Sequence, residues 1–102
     1  MSTLEKLAAE RWGVGFDFTG KLPVGATISS GTATATDLAD NSDASSTLLV
    51  SPTAVVSGAV ATVRIQAGTR GRTYAVHLTA VLSTGTPADQ LTEALLVKVL
   101  DW

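Results

Sequence analysis

Along most of the chain, hydrophobic and polar residues alternate with a period of two, the spacing of a β-strand with one buried face. Trp12, Val14, Phe16 and Phe18 alternate with glycine and polar positions. The same alternation or an apolar run predicts further strands over 26–37, 47–50, 59–66, 72–83 and 91–100. Glycine- and proline-containing turns separate these segments, as expected for antiparallel sheets.

The first twelve residues have a different pattern. Ser2-Thr3-Leu4-Glu5 matches a capping box, in which the serine and glutamate side chains satisfy amides of a first helical turn. Leu4 and Leu7 follow at helical spacing, so we predict a helical arm over 1–12 and a sandwich domain over 13–102. A helix of about ten residues is marginal alone. It therefore docks either on its own domain or on a neighbouring chain, which makes Leu4 and Leu7 candidate interface residues.

Six or seven short strands with regular turn signals predict an all-β fold, an immunoglobulin-like antiparallel β-sandwich with a short N-terminal helix. A small barrel is the alternative. The segment 71–78 resembles the corner that enters the sixth strand of immunoglobulin and fibronectin type III domains. There a tyrosine hydroxyl bonds to the preceding backbone and the residue two further on is buried. The resemblance makes Tyr74 and Val76 fold-defining, together with Phe16 and Phe18 of the first sandwich strand.

Composition narrows the classes of function. Only 16% of the residues are charged, against roughly 25% in an average soluble domain, which suits a protein packed among other subunits. A net charge of −2 with seven basic residues argues against nucleic acid as a partner. The chain has no cysteine, which excludes disulfides and thiolate metal sites. We find neither an apolar run of the ~20 residues that span a bilayer nor a secretory signal, and expect no membrane partner.

Candidate chemistry is sparse. His77 is the only histidine and falls on the strand face opposite Tyr74, and no nucleophile elbow or phosphate-binding glycine loop is present. We therefore predict that the protein is not an enzyme and has no cofactor. The acidic loop residues Asp37, Asp40 and Asp43 could supply oxygen ligands to calcium, but their spacing matches no EF-hand. Such residues are also ordinary in loops, and we predict no metal site.

Three further residues are candidate contacts with a partner. Arg70 and Arg72 belong to the only basic grouping and either form salt bridges with a partner or are solvated. Trp102 is either a lid on the core or an aromatic anchor at an interface.

Several segments, taken in order from residue 15 to the C-terminus, resemble a family of small tailed-phage virion proteins known as fibre–tail adaptor proteins. They are Phe16-Asp17-Phe18, Gly25-Ala26-Thr27-Ile28-Ser29-Ser30-Gly31, the strand 60–66 with the turn and strand 67–76, and the closing strand 91–102. This sequence has Phe18 where the family has tryptophan and Arg64-Ile65 where the family has Trp-Leu.

The resemblance implies a structural virion protein, made in the bacterial host cytoplasm and located in the tail or head–tail region. It would form a homo-oligomeric ring and bridge fibres or neighbouring virion proteins to the tail or connector. Open strand edges are tolerable where neighbouring subunits cover them. Two alternatives stay open: a capsid decoration protein, and a non-phage immunoglobulin-like binding module. Such a module usually presents a row of aromatic side chains, but only 5% of the residues in this chain are aromatic.

Overall fold

The fold of the chain is seen in a computed structural model that describes residues 2–85 and 88–100. These residues form eight strands and one short helix. In chain order they are β1 (Ser2–Lys6), β2 (Trp12–Asp17), β3 (Ile28–Asp37), β4 (Ser42–Asp43), α1 (Ser45–Leu48), β5 (Val55–Ser57), β6 (Val60–Ile65), β7 (Thr73–Leu82) and β8 (Gln90–Val99).

The strands form two sheets. One has five strands in the order β1-β8-β7-β3-β4, and the other has three in the order β2-β6-β5. Neighbouring strands are antiparallel in both sheets, except that β1 runs parallel to β8. The structure is therefore an all-β sandwich, as the alternation of the sequence predicts.

The core lies between the sheets and is built by that alternation. On β7, Tyr74, Val76 and Leu78 are buried while His77 is exposed. The other long strands contribute apolar side chains to the same layer; these are Val14, Phe16, Ala61, Val63, Ile65, Leu95, Val97 and Val99. Full burial of one such aliphatic or aromatic side chain contributes about 1.5–3 kcal/mol. This apolar layer is what holds the two sheets together.

The Thr-Ala run of β3 follows the same rule with small residues. Ala33 and Ala35 are buried, whereas Thr32 and Thr34 are exposed. A close approach explains the glycine that precedes them: a Cβ atom added to the buried Gly31 would lie 3.1 Å from the Cβ atom of Ala54. The backbone N–H of Ala54 donates to the carbonyl of Gly31 at 2.9 Å. The segment before β5 thus lies against the edge of β3.

The predicted N-terminal helix is wrong. Residues 2–6 form β1, which pairs with β8 from Ser2 opposite Leu95 to Lys6 opposite Val99. The capping-box pattern is local, and the strand is selected by tertiary context instead. Leu4 packs against the core and Lys6 is buried, so alternate residues of this segment point inward as in a strand.

A second difference concerns the predicted strand over 47–50. The chain forms the short helix α1 there, and Leu48 and Leu49 are buried in the core. The hydroxyl of Ser45 accepts a hydrogen bond from the backbone N–H of Ala35 at 2.9 Å. This bond attaches the helix to β3, and the apolar pair Leu48-Leu49 fills the core without a strand.

Candidate functional site

The described residues bring no group of potential metal ligands together. Among them, no three His, Cys, Asp or Glu side chains meet in a geometry that could hold a metal ion. His77 is exposed on β7. None of the helices in residues 2–85 and 88–100 is both long and apolar enough to cross a membrane.

The acidic loop uses its carboxylates to shape its own backbone. Asp40 accepts a hydrogen bond from the backbone N–H of Ser42 at 3.0 Å, and Asp43 accepts one from Ser45 at 3.0 Å. Hydrogen bonds from the side chain and backbone of Ser42 lower the pKa of Asp40, and those from Ser45 lower the pKa of Asp43. These are local turns of the kind that favours aspartate in loops.

The candidate interface residue Arg72 forms an ion pair within the chain. Its guanidinium lies 2.6 Å from the buried carboxylate of Asp37 and 3.9 Å from that of Asp40. The hydrogen bond to Asp37 is the main reason that the pKa of Arg72 is raised. The second oxygen of Asp37 accepts the backbone N–H of Ala39 at 2.9 Å. Arg72 therefore joins the start of β7 to the end of β3, whereas Arg70 is exposed in the turn before it.

Tyr74 ties the start of β7 to the same turn. Its side chain is buried, and its hydroxyl oxygen accepts a hydrogen bond from the backbone N–H of Thr69 at 2.8 Å. Val76, two residues further on, is 1% exposed. Phe16 and Phe18 lie in the opposite sheet and its following turn, and both are buried.

The buried charge of Lys6 is a feature that the pattern of the sequence did not reveal. Its ammonium group donates to the carbonyl oxygens of Ala67 at 2.5 Å, Leu7 at 2.8 Å and Ala8 at 3.4 Å. Burial lowers the pKa of Lys6, and the nearby charge of Glu10 partly opposes that shift. In the sequence, the burial of Lys6 is indicated only by its position two residues after Leu4. That spacing places both side chains on one face only if the segment is a strand.

The remaining candidate contacts lie apart. Leu4 is half-buried against the core, whereas Leu7 is 38% exposed after the end of β1. The two leucines therefore do not lie on one common face, as they would on the predicted helix. Trp102 lies outside the described residues.

The surfaces open to a partner include the free edge of β2 and the outer faces of both sheets. Within residues 2–85 and 88–100, no strand pairs with the outer side of β2. On the outer face of the three-stranded sheet, Val55 is 71% exposed, and it lines a cleft of about 200 Å³ with Val50, Thr62 and Arg64. A second cleft, of about 170 Å³, opens between β2 and β8.

The structure is thus a β-sandwich with an open edge at β2. Its Asp37, Arg72 and Lys6 side chains form hydrogen bonds within the chain. What the molecule offers to a partner is therefore its exposed surface. A family model described as "Podophage GP4 fiber-tail adaptor protein gp77" matches residues 6–95. The chain therefore belongs to this family of podophage fibre–tail adaptor proteins. Comparisons with curated proteins and with solved structures give no match.

Membership of this family confirms the resemblance inferred from the sequence segments. A fibre–tail adaptor is a structural component of the virion tail and interacts with other virion proteins such as those of the tail and fibre.

Proposed function

We propose that this protein bridges fibres or neighbouring virion proteins to the tail or connector of a podophage and that it performs no catalysis. The observation that carries the proposal is the family match over residues 6–95. The described part of the chain assembles no metal-binding group, and its acidic loop is occupied by local hydrogen bonds. The protein would be made in the cytoplasm of the bacterial host and incorporated into the tail.

We further propose that copies of the chain form a ring in the virion. The low share of charged residues, 16%, suits subunits that cover one another. A ring needs two different sides on each subunit. The two sides of the sandwich differ in this way. On one side β2 and β8 line an open cleft, and on the other side a β-bridge between Thr32 and Thr53 joins the edge of β3 to the segment before β5.

Of the candidate interface residues, Leu7 and Arg70 support this role because both are exposed. Leu4 and Arg72 make contacts within the chain. We therefore propose Leu7 and Arg70 as contacts with neighbouring virion proteins.

We also propose that the sandwich is of the immunoglobulin-like type. If β2 is taken as strand B, the small sheet reads B-E-D, and the large sheet reads G-F-C-C′ with β1 added beside strand G, which matches the arrangement of immunoglobulin domains for the strands from B to G. The bond between Tyr74 and Thr69 supports the assignment because it occurs at the corner that enters strand F.

Loss of the protein from the particle tests the bridging role. A phage with a nonsense codon in this gene is grown in a non-suppressing host, and the particles are examined by electron microscopy. We expect particles that lack fibres, and restoration of the fibres by the wild-type protein supplied from a plasmid. Labelled antibody should bind wild-type particles at the tail. Fibred mutant particles, together with label spread over the capsid of the wild type, would instead indicate a decoration protein.

A further inference from the structure

The outer edge of β2 presents a row of main-chain groups to solvent. In an antiparallel pair, successive residues direct their N–H and C=O groups alternately toward the partner strand and away from it. The N–H of Phe18 donates to Ala59 of the neighbouring chain segment at 2.8 Å. With the continuous register of β2 and β6, the groups that point away from β6 belong to Gly13, Gly15 and Asp17. No strand of the described part of the chain pairs with them.

Apart from the charge of Asp17 at its end, this edge lacks the devices that usually prevent edge-to-edge pairing. Natural edge strands are blocked by proline, lysine, bulges or short length. β2 has six residues, a regular register and neither proline nor lysine. Three residues of β2, Gly13, Gly15 and Asp17, lie on its solvent-exposed face, and two of them are glycines without a side chain. Side chains of β6 lean over them, because an added Cβ atom would lie 3.3 Å from Thr62 at Gly13 and 3.2 Å from Val60 at Gly15. The edge is therefore flat and open to another strand.

Two opposite charges lie at the two ends of this flat face. Asp17 ends β2, and Arg64 on β6 is paired with Gly13 near the start of β2. Both are exposed. The guanidinium of Arg64 extends over Gly13, with one nitrogen 4.0 Å from the position that a Cβ atom would take there. Because Gly13 has no side chain, the charge of Arg64 lies toward the open edge.

We propose that two copies of this chain pair antiparallel along their β2 edges, with Gly15 opposite the partner's Gly15. In this register Gly13 lies opposite the partner's Asp17. Adjacent strands are about 4.8 Å apart, so the Cα atoms of Arg64 and the partner's Asp17 are separated by roughly two strand spacings. An arginine and an aspartate side chain together span that distance. The pairing forms two such ion pairs, and this charge complementarity identifies a second copy as the occupant.

The same register also fits the inner face. Val14 lies opposite the partner's Phe16, between the two sheets. By the same symmetry the partner's Val14 lies beside Phe16 and covers the cleft of about 170 Å³ whose lining includes Phe16 and Leu95. Glu93, on the rim of that cleft, is already paired with Lys21. The two three-stranded sheets become one continuous sheet of twice the width.

The two-fold pairing closes on itself and cannot by itself build a ring. We assign it to the free protein, in which it covers the open edge before assembly. The inference therefore does not rest on the ring or on the position of the protein in the tail, and it is tested on the isolated chain.

The first test measures mass by light scattering and sedimentation over a concentration series. The chain has a mass of 10.4 kDa, and we expect a particle of twice that mass. D17R or R64D places like charges together at both ends of the interface and should weaken the dimer by roughly tenfold or more. The double variant D17R/R64D exchanges the charges and should restore it.

Two matched controls keep this result specific. Asp17 accepts a hydrogen bond from the N–H two residues further on, and so does Asp43 on another strand. D43R therefore reproduces the lost turn and the change of charge away from the β2 edge. R70D does the same for an exposed arginine. Neither control should change the mass.

The second test uses single cysteines, which is possible because the chain has none. Cα atoms of directly opposed, hydrogen-bonded residues are about 5.5 Å apart, within the range of a disulfide. Gly15→Cys should therefore form a disulfide-linked dimer under mild oxidation. Gly13→Cys should not, because its counterpart on the partner lies four residues along the strand.

A wild-type monomer at all concentrations would overturn the inference. So would a dimer that neither charge change weakens, a double variant that stays monomeric, or equal crosslinking of both cysteine variants. A ring-sized particle unaffected by D17R would also overturn it while supporting the proposed ring.

Discussion

The ammonium group of Lys6 donates a hydrogen bond to the carbonyl oxygen of Ala67, 2.5 Å away and sixty-one residues later in the chain. The bond joins the end of β1 to the turn between β6 and β7. That turn is conformationally demanding, since Ala67 has φ of 46° and Gly68 has φ of 95°. A Cβ atom at Gly68 would lie 2.7 Å from Val99. Lys6 supplies the donor for the carbonyl oxygen of Ala67 in this tightly packed turn.

Lys6→Met tests this role because it keeps the apolar stem and removes the ammonium group. The carbonyls of Leu7 and Ala67 lose their donor in a buried setting, and we expect the free energy of unfolding to fall by about 2–3 kcal/mol. The measurement is urea denaturation followed by fluorescence. Lys98→Met changes an exposed lysine on β8 and is the control, with an expected change within about 0.5 kcal/mol. Equal losses in the two variants would contradict the assignment.

Tyr74→Phe removes the hydroxyl that accepts the N–H of Thr69. We expect a loss of about 1 kcal/mol, because the ring still fills the core and only one hydrogen bond is lost. Thermal and urea denaturation measure it. Thr73→Val, which removes a hydroxyl from the opposite face of the same strand, is compared with it. If the midpoint of Tyr74→Phe stays at the wild-type value, the hydroxyl does not hold this corner.

Arg70 and Arg72, which both lie between β6 and β7, should respond differently to the same substitution. Arg72→Met leaves the carboxylate of Asp37, only 8% exposed, without its cationic partner, and a buried charge without a partner is destabilising. Arg70→Met alters an exposed side chain. We expect a lower free energy of unfolding for Arg72→Met and little change for Arg70→Met, both by urea denaturation. The reverse order would show that the ion pair does not stabilise the fold.

The acidic loop predicts sensitivity to low pH. Hydrogen bonds lower the pKa values of Asp40 and Asp43 below the model-peptide value of 3.8. The unfolded chain therefore binds protons at these groups more readily, so their contribution is present above pH 3.8 and is lost as the pH falls through the lowered values.

Asp40→Asn and Asp43→Asn together keep a side-chain oxygen for each turn but do not titrate. We expect the double variant to lose less stability than the wild type between about pH 5 and about pH 2.5, measured by urea denaturation at each pH. At neutral pH the double variant lacks the contribution of the two ionised carboxylates, so it should be less stable than the wild type there, and the difference should shrink as the pH falls. Parallel acid profiles for the two proteins would contradict the prediction.

The strands that the sequence predicts best are those with long alternation. The expected strand over 72–83 is β7 (Thr73–Leu82), and the expected strand over 91–100 is β8 (Gln90–Val99). The expected strand over 26–37 contains β3, in which Thr32 and Thr34 are exposed while Ala33 and Ala35 are buried. In these segments burial against the opposite sheet and local alternation favour the same conformation.

The N-terminal segment shows why such patterns can mislead. Leu4 and Leu7 lie at helical spacing, but the conformation is decided by pairing with β8 and by the hydrogen bond from the ammonium group of Lys6 to the carbonyl oxygen of Ala67. Neither contact is local in sequence. The same holds for the pairing of Arg72 with Asp37, which are 35 residues apart, and for the open edge of β2, which depends on the order of strands rather than on its own residues.

The parallel pairing of β1 with β8 has a mechanical consequence. Ser2 lies beside Leu95 and Lys6 beside Val99, so the two strands overlap over five residue pairs and point in the same direction. Tension that pulls Ser2 and Leu100 in opposite directions acts along this overlap. It shears the ladder, loading its hydrogen bonds together instead of opening them one after another. In the bridging role proposed above, this pairing would let the subunit transmit force while it stays folded.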